Sequence, residues 1–182
     1  MRTLNCLTKS ISVNGYHNIE PYNYAVLKEG GEARLLTHHA ESARLDLTCG
    51  GNLTSSDFAY VKAISLREFC IDRNIKLINI LKIDAEGSER IIIEDLGTDD
   101  IAIEKMIVEL HNTILPTKDI KWIFTTLFRR YSYVYGFYGK GLLLMDIANP
   151  TSFNDMVGSG NIPHIFASKH GISPILSCAG VA

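Results

Sequence analysis

Apolar and polar positions along the chain follow two periods, one typical of helices and one typical of strands. Apolar residues recur at helical spacing over residues 4–11, and Gly15 can end that helix. Residues 18–27 alternate as a strand does, and residues 32–37 predict a second strand. The glycine pair Gly30-Gly31 between them predicts a turn, so we expect these two strands to form a hairpin.

The middle of the chain alternates between strand and helix patterns. Residues 60–64 predict a short strand, and Ser65 with Glu68 matches a capping box that starts a helix. A mostly apolar run, 77–83, predicts a buried strand, and a helical pattern over 88–96 follows it.

The last third of the chain contains its clearest helix. Residues 106–111 predict a strand, and apolar residues recur at helical spacing from Pro116 to Phe128. Residues 131–137 and 142–147 predict two strands joined by a glycine-rich turn, and residues 164–167 add a last strand. The overall pattern predicts an α/β sheet with an antiparallel edge.

Length, charge and cysteine content narrow the class of protein. The 182 residues favour a single domain, with residues 1–150 as its body and residues 151–182 as a C-terminal extension or tail. A net charge of -2 gives no general reason to expect nucleic acid or an anionic membrane as a partner. The four cysteines form no Cys-x-x-Cys pair, so we expect reduced thiols in a cytoplasmic protein. No apolar run has membrane-spanning length, and the N-terminus lacks a signal-peptide pattern.

Two acidic residues follow the apolar run at the point where the strand becomes a helix. Asp84 and Glu86 are separated by Ala85 and followed by Gly87, and ligands bind at such strand ends in open α/β sheets. A carboxylate at this position could orient a substrate hydroxyl, accept its proton or hold a metal ion. The alternative is that both acids cap the helix and are solvated.

A second polar pair ends the next predicted strand. Glu109 and His111 are two residues apart and therefore share one face of that strand. If the two strands are neighbours, these residues meet Asp84 and Glu86 at one rim, where the histidine could act as a base. The alternative is a histidine bonded to the backbone. The adjacent pair His38-His39 would point to opposite faces of a strand, so we interpret it as ordinary surface.

The acidic stretch also resembles a known family. Residues 81–89 read LKIDAEGSE and resemble the LKIDVEGxE signature of FkbM-type methyltransferases. Residues 14–26, 61–66 and 107–111 are similar to further segments of that family, in the same order. The resemblance covers residues 1–147.

The resemblance implies a Rossmann-like class I methyltransferase fold, with a mostly parallel sheet and an antiparallel C-terminal hairpin. It implies S-adenosylmethionine as cofactor and methyl transfer to an oxygen of a sugar, lipid or metabolite. Carried over by position, Asp84 lies beside donor and acceptor and orients or deprotonates the acceptor. The other carried-over residues are Glu86 in the turn, Glu109 and His111 on the acceptor side, and Ala25 and Val26 near the adenine.

The chain departs from the family pattern in two respects. Arg67 stands where the family has an acid after its Thr-Leu pair, and no glycine-rich turn or ribose-binding acid precedes the first helix. We therefore expect an N-terminally incomplete sheet and weak binding of S-adenosylmethionine. In that case the strands at 18–27 and 77–84 must pair directly, or another chain must fill the gap between them.

Two other classes of function remain open from the sequence. The chain could be a non-catalytic fold remnant that binds a protein partner, or a second copy of itself, through an exposed sheet edge. It could also be a metal-dependent hydrolase using Asp84, Glu86, Glu109 and His111, although no metal-binding run such as His-x-x-His supports this. We assign no metal ligand from the sequence.

Overall fold

The computed structural model describes residues 2–36, 44–45, 58–96, 101–111, 114–138, 141–144 and 164–171. These ranges hold four helices and nine strands. The helices are α1 (Arg2–Val13), α2 (Leu66–Asp72), α3 (Glu89–Asp95) and α4 (Thr117–Arg130). The strands are β1 (Ala25–Leu27), β2 (Gly31–Leu36), β3 (Arg44–Leu45), β4 (Phe58–Ser65), β5 (Leu77–Ile83), β6 (Ala102–Glu109), β7 (Tyr133–Tyr138), β8 (Gly141–Leu144) and β9 (His164–Ser168). Within these ranges, no helix combines the length and apolar character that crossing a membrane requires.

The first sheet has the strand order β1-β4-β2-β3, with β1 parallel to β4 and β2 antiparallel to it. The predicted hairpin of β1 and β2 is therefore wrong, because β4 lies between them. The connection between β1 and β2 passes close to the start of α2. A Cβ at Gly30 would lie 3.1 Å from Oε2 of Glu68, which is closer than an ordinary van der Waals contact.

The strand predicted over residues 18–27 is shorter than its pattern suggests. Only Ala25–Leu27 pairs, while Tyr22 packs its ring edge-on against Phe69 at 4.9 Å. The guanidinium of Arg73 lies 4.3 Å from the centre of the Tyr22 ring. The alternating aromatic residues therefore pack against helix α2 through their side chains and do not extend the sheet.

The second sheet has the strand order β5-β6-β9-β7-β8. β5 and β6 are parallel, and the antiparallel C-terminal hairpin of β7 and β8 is confirmed. β9 lies between β6 and β7, so residues 164–168 belong to this sheet. The α/β class is confirmed, but a mostly parallel sheet is not found: among the described pairings, two are parallel and five are antiparallel.

β1 and β5 lie in different sheets and do not pair with each other, so the direct pairing considered from the sequence is not formed. The pairing partner of β5 among the described residues is β6, which leaves its other edge without a strand. Leu77 and Ile80 are 50% and 57% exposed. An apolar run that predicts a buried strand is thus largely solvent-facing in this chain.

Helices α3 and α4 pack on the second sheet and close the main core. The helical spacing of α4 buries Ile120, Ile123, Phe124 and Leu127, as predicted. The predicted capping box of α2 is also confirmed, because Ser65 and Glu68 each accept a hydrogen bond from the other's backbone N–H at 3.0 Å.

Several predicted features fall outside the described ranges. His38-His39, most of the loop around them and the last eleven residues belong to this group. Among the cysteines, Cys6 and Cys70 are free thiols, whereas Cys49 and Cys178 lie outside the described residues.

Candidate active site

The parallel pairing of β5 and β6 creates the rim on which the candidate residues lie. Ile83 is the register partner of Val108, so Asp84 and Glu109 come next at the same end of both strands. His111 follows two residues later. The expectation that the acids of one strand and the Glu–His pair of the next would share a rim is therefore met by the register.

The turn after β5 is held in an unusual backbone conformation. Glu86 has a φ of 47° and Gly87 a φ of 100°. Positive φ is uncommon for a residue with a side chain, whereas glycine adopts it without steric cost. A Cβ at Gly87 would lie only 2.7 Å from Cγ2 of Ile114. The turn therefore needs a glycine for two reasons, and it places the Glu86 carboxylate above the rim near His111.

His111 is the centre of the cluster. Its Nδ1 lies 2.6 Å from Oε1 of Glu89, and its Nε2 lies 3.5 Å from Oε1 of Glu86 and 3.9 Å from Oδ1 of Asp84. Because an ionised carboxylate can only accept, the Nδ1–H donates to Glu89. In the neutral imidazole the Nε2 lone pair then faces the other two carboxylates.

Glu89 holds the His111 ring in place from the buried side of the cluster. It is fully buried at 0% exposure, and its Oε1 also accepts the backbone N–H of Gly87 at 3.1 Å. Its other oxygen, Oε2, has no hydrogen-bond partner among the described residues. The sequence reasoning did not single out Glu89, and its role as a buried anchor was missed because burial depends on the packing of α3.

Lys82 is a second residue that the sequence reasoning missed. Its Nζ lies 2.7 Å from Oδ2 of Asp84 and 3.7 Å from Oε2 of Glu109. The hydrogen bond from Lys82 holds the pKa of the Asp84 carboxyl below its usual value, and Asp84 in turn raises the pKa of Lys82. The signal was available, because residues two apart on a strand share a face. Asp84 therefore stays ionised and is better suited to orienting a hydroxyl than to removing its proton.

β9 adds a further histidine to the rim. Its register places His164 opposite Glu109, and Nε2 of His164 lies 3.2 Å from Oε2 of Glu109. The sequence predicted the strand but not a place for His164 at the site. That position depends on the insertion of β9 between β6 and β7, which no local pattern encodes.

The two candidate adenine-side residues lie elsewhere in the fold. Ala25 and Val26 are in β1 of the first sheet, where they pair with Ala63 and Ile64. Ala25 is buried in a small cluster, and Val26 packs against the edge of the main core. They are thus in a different sheet from the strand that leads to Asp84.

Among the described residues, no parallel strand is followed by the Gly-x-Gly run that is typical of sites for a nucleoside-containing ligand. Such sites use a glycine after a parallel strand so that the backbone can approach the ligand. Gly30 after β1 lies near Glu68, and Gly87 after β5 lies against Ile114, whereas Gly31 at the start of β2 has open space around it.

The fold places an acid-bearing turn at the end of a parallel strand, and the comparison with protein families identifies the class of protein. The model of the methyltransferase FkbM domain matches residues 4–135. This match spans well over half of the chain, so the chain belongs to the FkbM methyltransferase family. No curated protein and no solved structure matches it.

Proposed function

We propose that this chain serves S-adenosylmethionine-dependent methylation of a hydroxyl oxygen on a sugar, lipid or metabolite. Membership of the FkbM methyltransferase family supports the reaction class. The observation that supports binding of the methyl acceptor is that Asp84, Glu86 and His111 each place one polar atom within 4.8 Å of the others. These groups suit a methyl acceptor that carries a hydroxyl. Such a hydroxyl needs one group that accepts its hydrogen bond and one that takes up its proton.

In this proposal Asp84 orients the hydroxyl and His111 accepts its proton. Asp84 remains ionised because Lys82 lowers its pKa, so it can hold the O–H by accepting a hydrogen bond. His111 is fixed through Nδ1 by Glu89, and its Nε2 is available for the proton. Attack by an oxygen on a methyl group depends largely on positioning, so few polar groups are needed.

Methyl transfer to a panel of sugars, lipids and hydroxylated metabolites tests the proposal, with radiolabelled S-adenosylmethionine at millimolar concentration so that weak donor binding does not hide the reaction. We expect Asp84→Asn to lower the rate about 100-fold with little change in stability, because only the orientation of the acceptor is lost. Glu104→Gln is the control, since Glu104 forms an ion pair at the other end of β6. Full activity of Asp84→Asn would refute the assigned role.

We also propose that the chain alone binds S-adenosylmethionine weakly. The support is that no Gly-x-Gly run follows a parallel strand among the described residues, and that Gly87 after β5 lies against Ile114. Calorimetric titration with S-adenosylmethionine should give little heat, and a micromolar dissociation constant would contradict the proposal.

A second candidate function is protein binding through the free edge of β5. The specific observation is that Leu77 and Ile80 are half exposed on an apolar strand whose outer edge has no partner among the described residues. A strand from a protein partner or a second copy of the chain could pair there. Light scattering should then show association that Ile80→Lys abolishes. Ile71→Lys in α2, at 55% exposure, is the matched control. Equal association of the two variants would exclude this edge.

A further inference from the structure

We propose that Asp84, Glu86 and His111 form a binding site for one divalent transition-metal ion, of the Mn²⁺ or Zn²⁺ type. One ligand atom from each residue lies within 4.8 Å of the others. The site goes beyond the proposed function, because ion binding does not depend on methyl transfer.

The spacing of the ligand atoms suits a single ion. Metal–oxygen and metal–nitrogen bonds of about 2.0–2.2 Å separate neighbouring ligands in a tetrahedral site by roughly 3.4 Å. Nε2 of His111 lies 3.5 Å from Oε1 of Glu86 and 3.9 Å from Oδ1 of Asp84. Lys82 bonds the other oxygen of Asp84, Oδ2, and so leaves Oδ1 available. Small side-chain adjustments would bring all three atoms onto one centre.

The orientation of His111 is the independent observation that points to a metal. Histidine ligands usually donate their other ring N–H to a carboxylate, which fixes the tautomer and aims the free nitrogen at the ion. Here Nδ1 of His111 is 2.6 Å from Oε1 of Glu89, a carboxylate with no solvent exposure. The support for the ligand is thus already built into the core.

The charge around the cluster also calls for a cation. Oε2 of Glu89 is buried and has no hydrogen-bond partner among the described residues, so a polar oxygen beside the histidine is left unsatisfied. Glu109 adds another carboxylate at the rim, where Lys82 is the only lysine or arginine in the described ion pairs with the cluster. An ion between the three ligands would place positive charge about one imidazole ring away from Glu89.

The donor set selects the class of metal. One imidazole nitrogen with two carboxylate oxygens is a mixed set, which suits Mn²⁺, Fe²⁺ or Zn²⁺ better than Ca²⁺ or Mg²⁺ with their preference for oxygen. Three protein ligands leave at least one position open. The acceptor hydroxyl would occupy it, an extension that rests on the proposed function. An ion bound to Nε2 of His111 would occupy the lone pair that accepts the proton, so the role of His111 as base applies to the chain without the ion.

Calorimetric titration of the chelator-treated full chain with MnCl₂, ZnCl₂ and CaCl₂ tests the site. We expect one Mn²⁺ or Zn²⁺ ion per chain and much weaker binding of Ca²⁺. His111→Gln and Glu86→Gln each remove a ligand and should weaken Mn²⁺ binding about tenfold or more. Glu89→Gln should also weaken Mn²⁺ binding, because His111 loses the carboxylate that orients it, but the stoichiometry should not change. The electron paramagnetic resonance spectrum of Mn²⁺ should broaden on binding to the wild-type chain and to Glu104→Gln, and much less with His111→Gln.

Glu104→Gln is the matched control for Glu86→Gln. Glu104 is 28% exposed against 31% for Glu86, and it also lies 3.5 Å from a histidine, His170. Glu104 should be dispensable because no third ligand joins that pair among the described residues. Circular dichroism confirms that each variant is folded. Absence of stoichiometric binding, or equal binding by His111→Gln and wild type, overturns the site. The metal titration contains neither S-adenosylmethionine nor a methyl acceptor. A failure to bind metal would therefore leave the proposed methyl transfer standing.

Discussion

Gly87 is the residue on which the shape of the acidic turn depends most directly. Its φ of 100° disfavours any side chain, and a Cβ would lie 2.7 Å from Cγ2 of Ile114. We expect Gly87→Ala to lower the free energy of unfolding by about 2–3 kcal/mol, as the sum of backbone strain and overpacking. Urea denaturation measures this change.

Two further variants separate the two causes. Gly15→Ala tests strain alone, because Gly15 also has positive φ but has open space around its Cα. It should cost only about 1 kcal/mol. Ile114→Ala should recover part of the loss when combined with Gly87→Ala, since Ile114 is 38% exposed and its truncation removes the clash. Purely additive effects in this pair would show that the contact plays no role.

Tyr131 gives the fold a dependence on alkaline pH. Burial raises the pKa of its hydroxyl from the ordinary value of about 10 to about 12. Because the folded-state pKa is raised, the full stabilisation is present below pH 10 and is lost as pH rises towards 12. At pH 11.5 the wild type should have lost about 2 kcal/mol more than Tyr131→Phe, relative to pH 9. Urea denaturation at both values measures the difference, and equal losses would contradict it.

The residues of the site were predictable to the extent that strand period and strand order determine them. Asp84, Glu109 and His111 could be placed on one rim because they follow apolar runs that pair in parallel. Glu89 could not be recognised as a buried anchor, since a glutamate in a first helical turn is ordinarily solvated. Lys82 carried a usable signal in its spacing from Asp84.

At the scale of elements, helix α2 depends on its capping box. Ser65 is 3% exposed, and its hydroxyl accepts the backbone N–H of Glu68. We expect Ser65→Ala to lower the free energy of unfolding by about 1 kcal/mol, because the freed N–H loses its partner in a site that water reaches poorly. Thermal unfolding compared with Ser12→Ala, on the exposed side of α1, measures the effect. Equal stability of the two variants would show that the cap contributes nothing.

Elements with a strong internal period were predicted well, and their pairing was not. The boundaries of α4 follow from apolar spacing and those of β5 from an apolar run that ends at an acid. The hairpin expected around Gly30-Gly31 failed because β4, nearly thirty residues later, takes the place between the two strands. A turn signal reports a change of direction and cannot report which strand becomes the neighbour.

At the scale of the whole molecule, the two sheets have unequal cores. The main cluster contains the large buried side chains of the second sheet and its helices, among them Met106, Ile123, Phe124 and Ile165. Among the described residues, the cluster of the first sheet has three buried alanines, Ala25, Ala33 and Ala63. Because hydrophobic stabilisation grows with buried apolar area, the second sheet should hold most of the stability.

This inequality predicts two levels of hydrogen exchange. Amides of β6 and α4 should exchange only by global unfolding, whereas those of β2 should exchange at least about tenfold faster by local opening. Mass spectrometry of exchanged peptides measures both levels. Ile123→Val, in the main core, should speed exchange in β6 and α4 and leave β2 unchanged, because only the former track global stability. Equal protection of β2 and β6 in the wild type would show instead that the two sheets unfold as one unit.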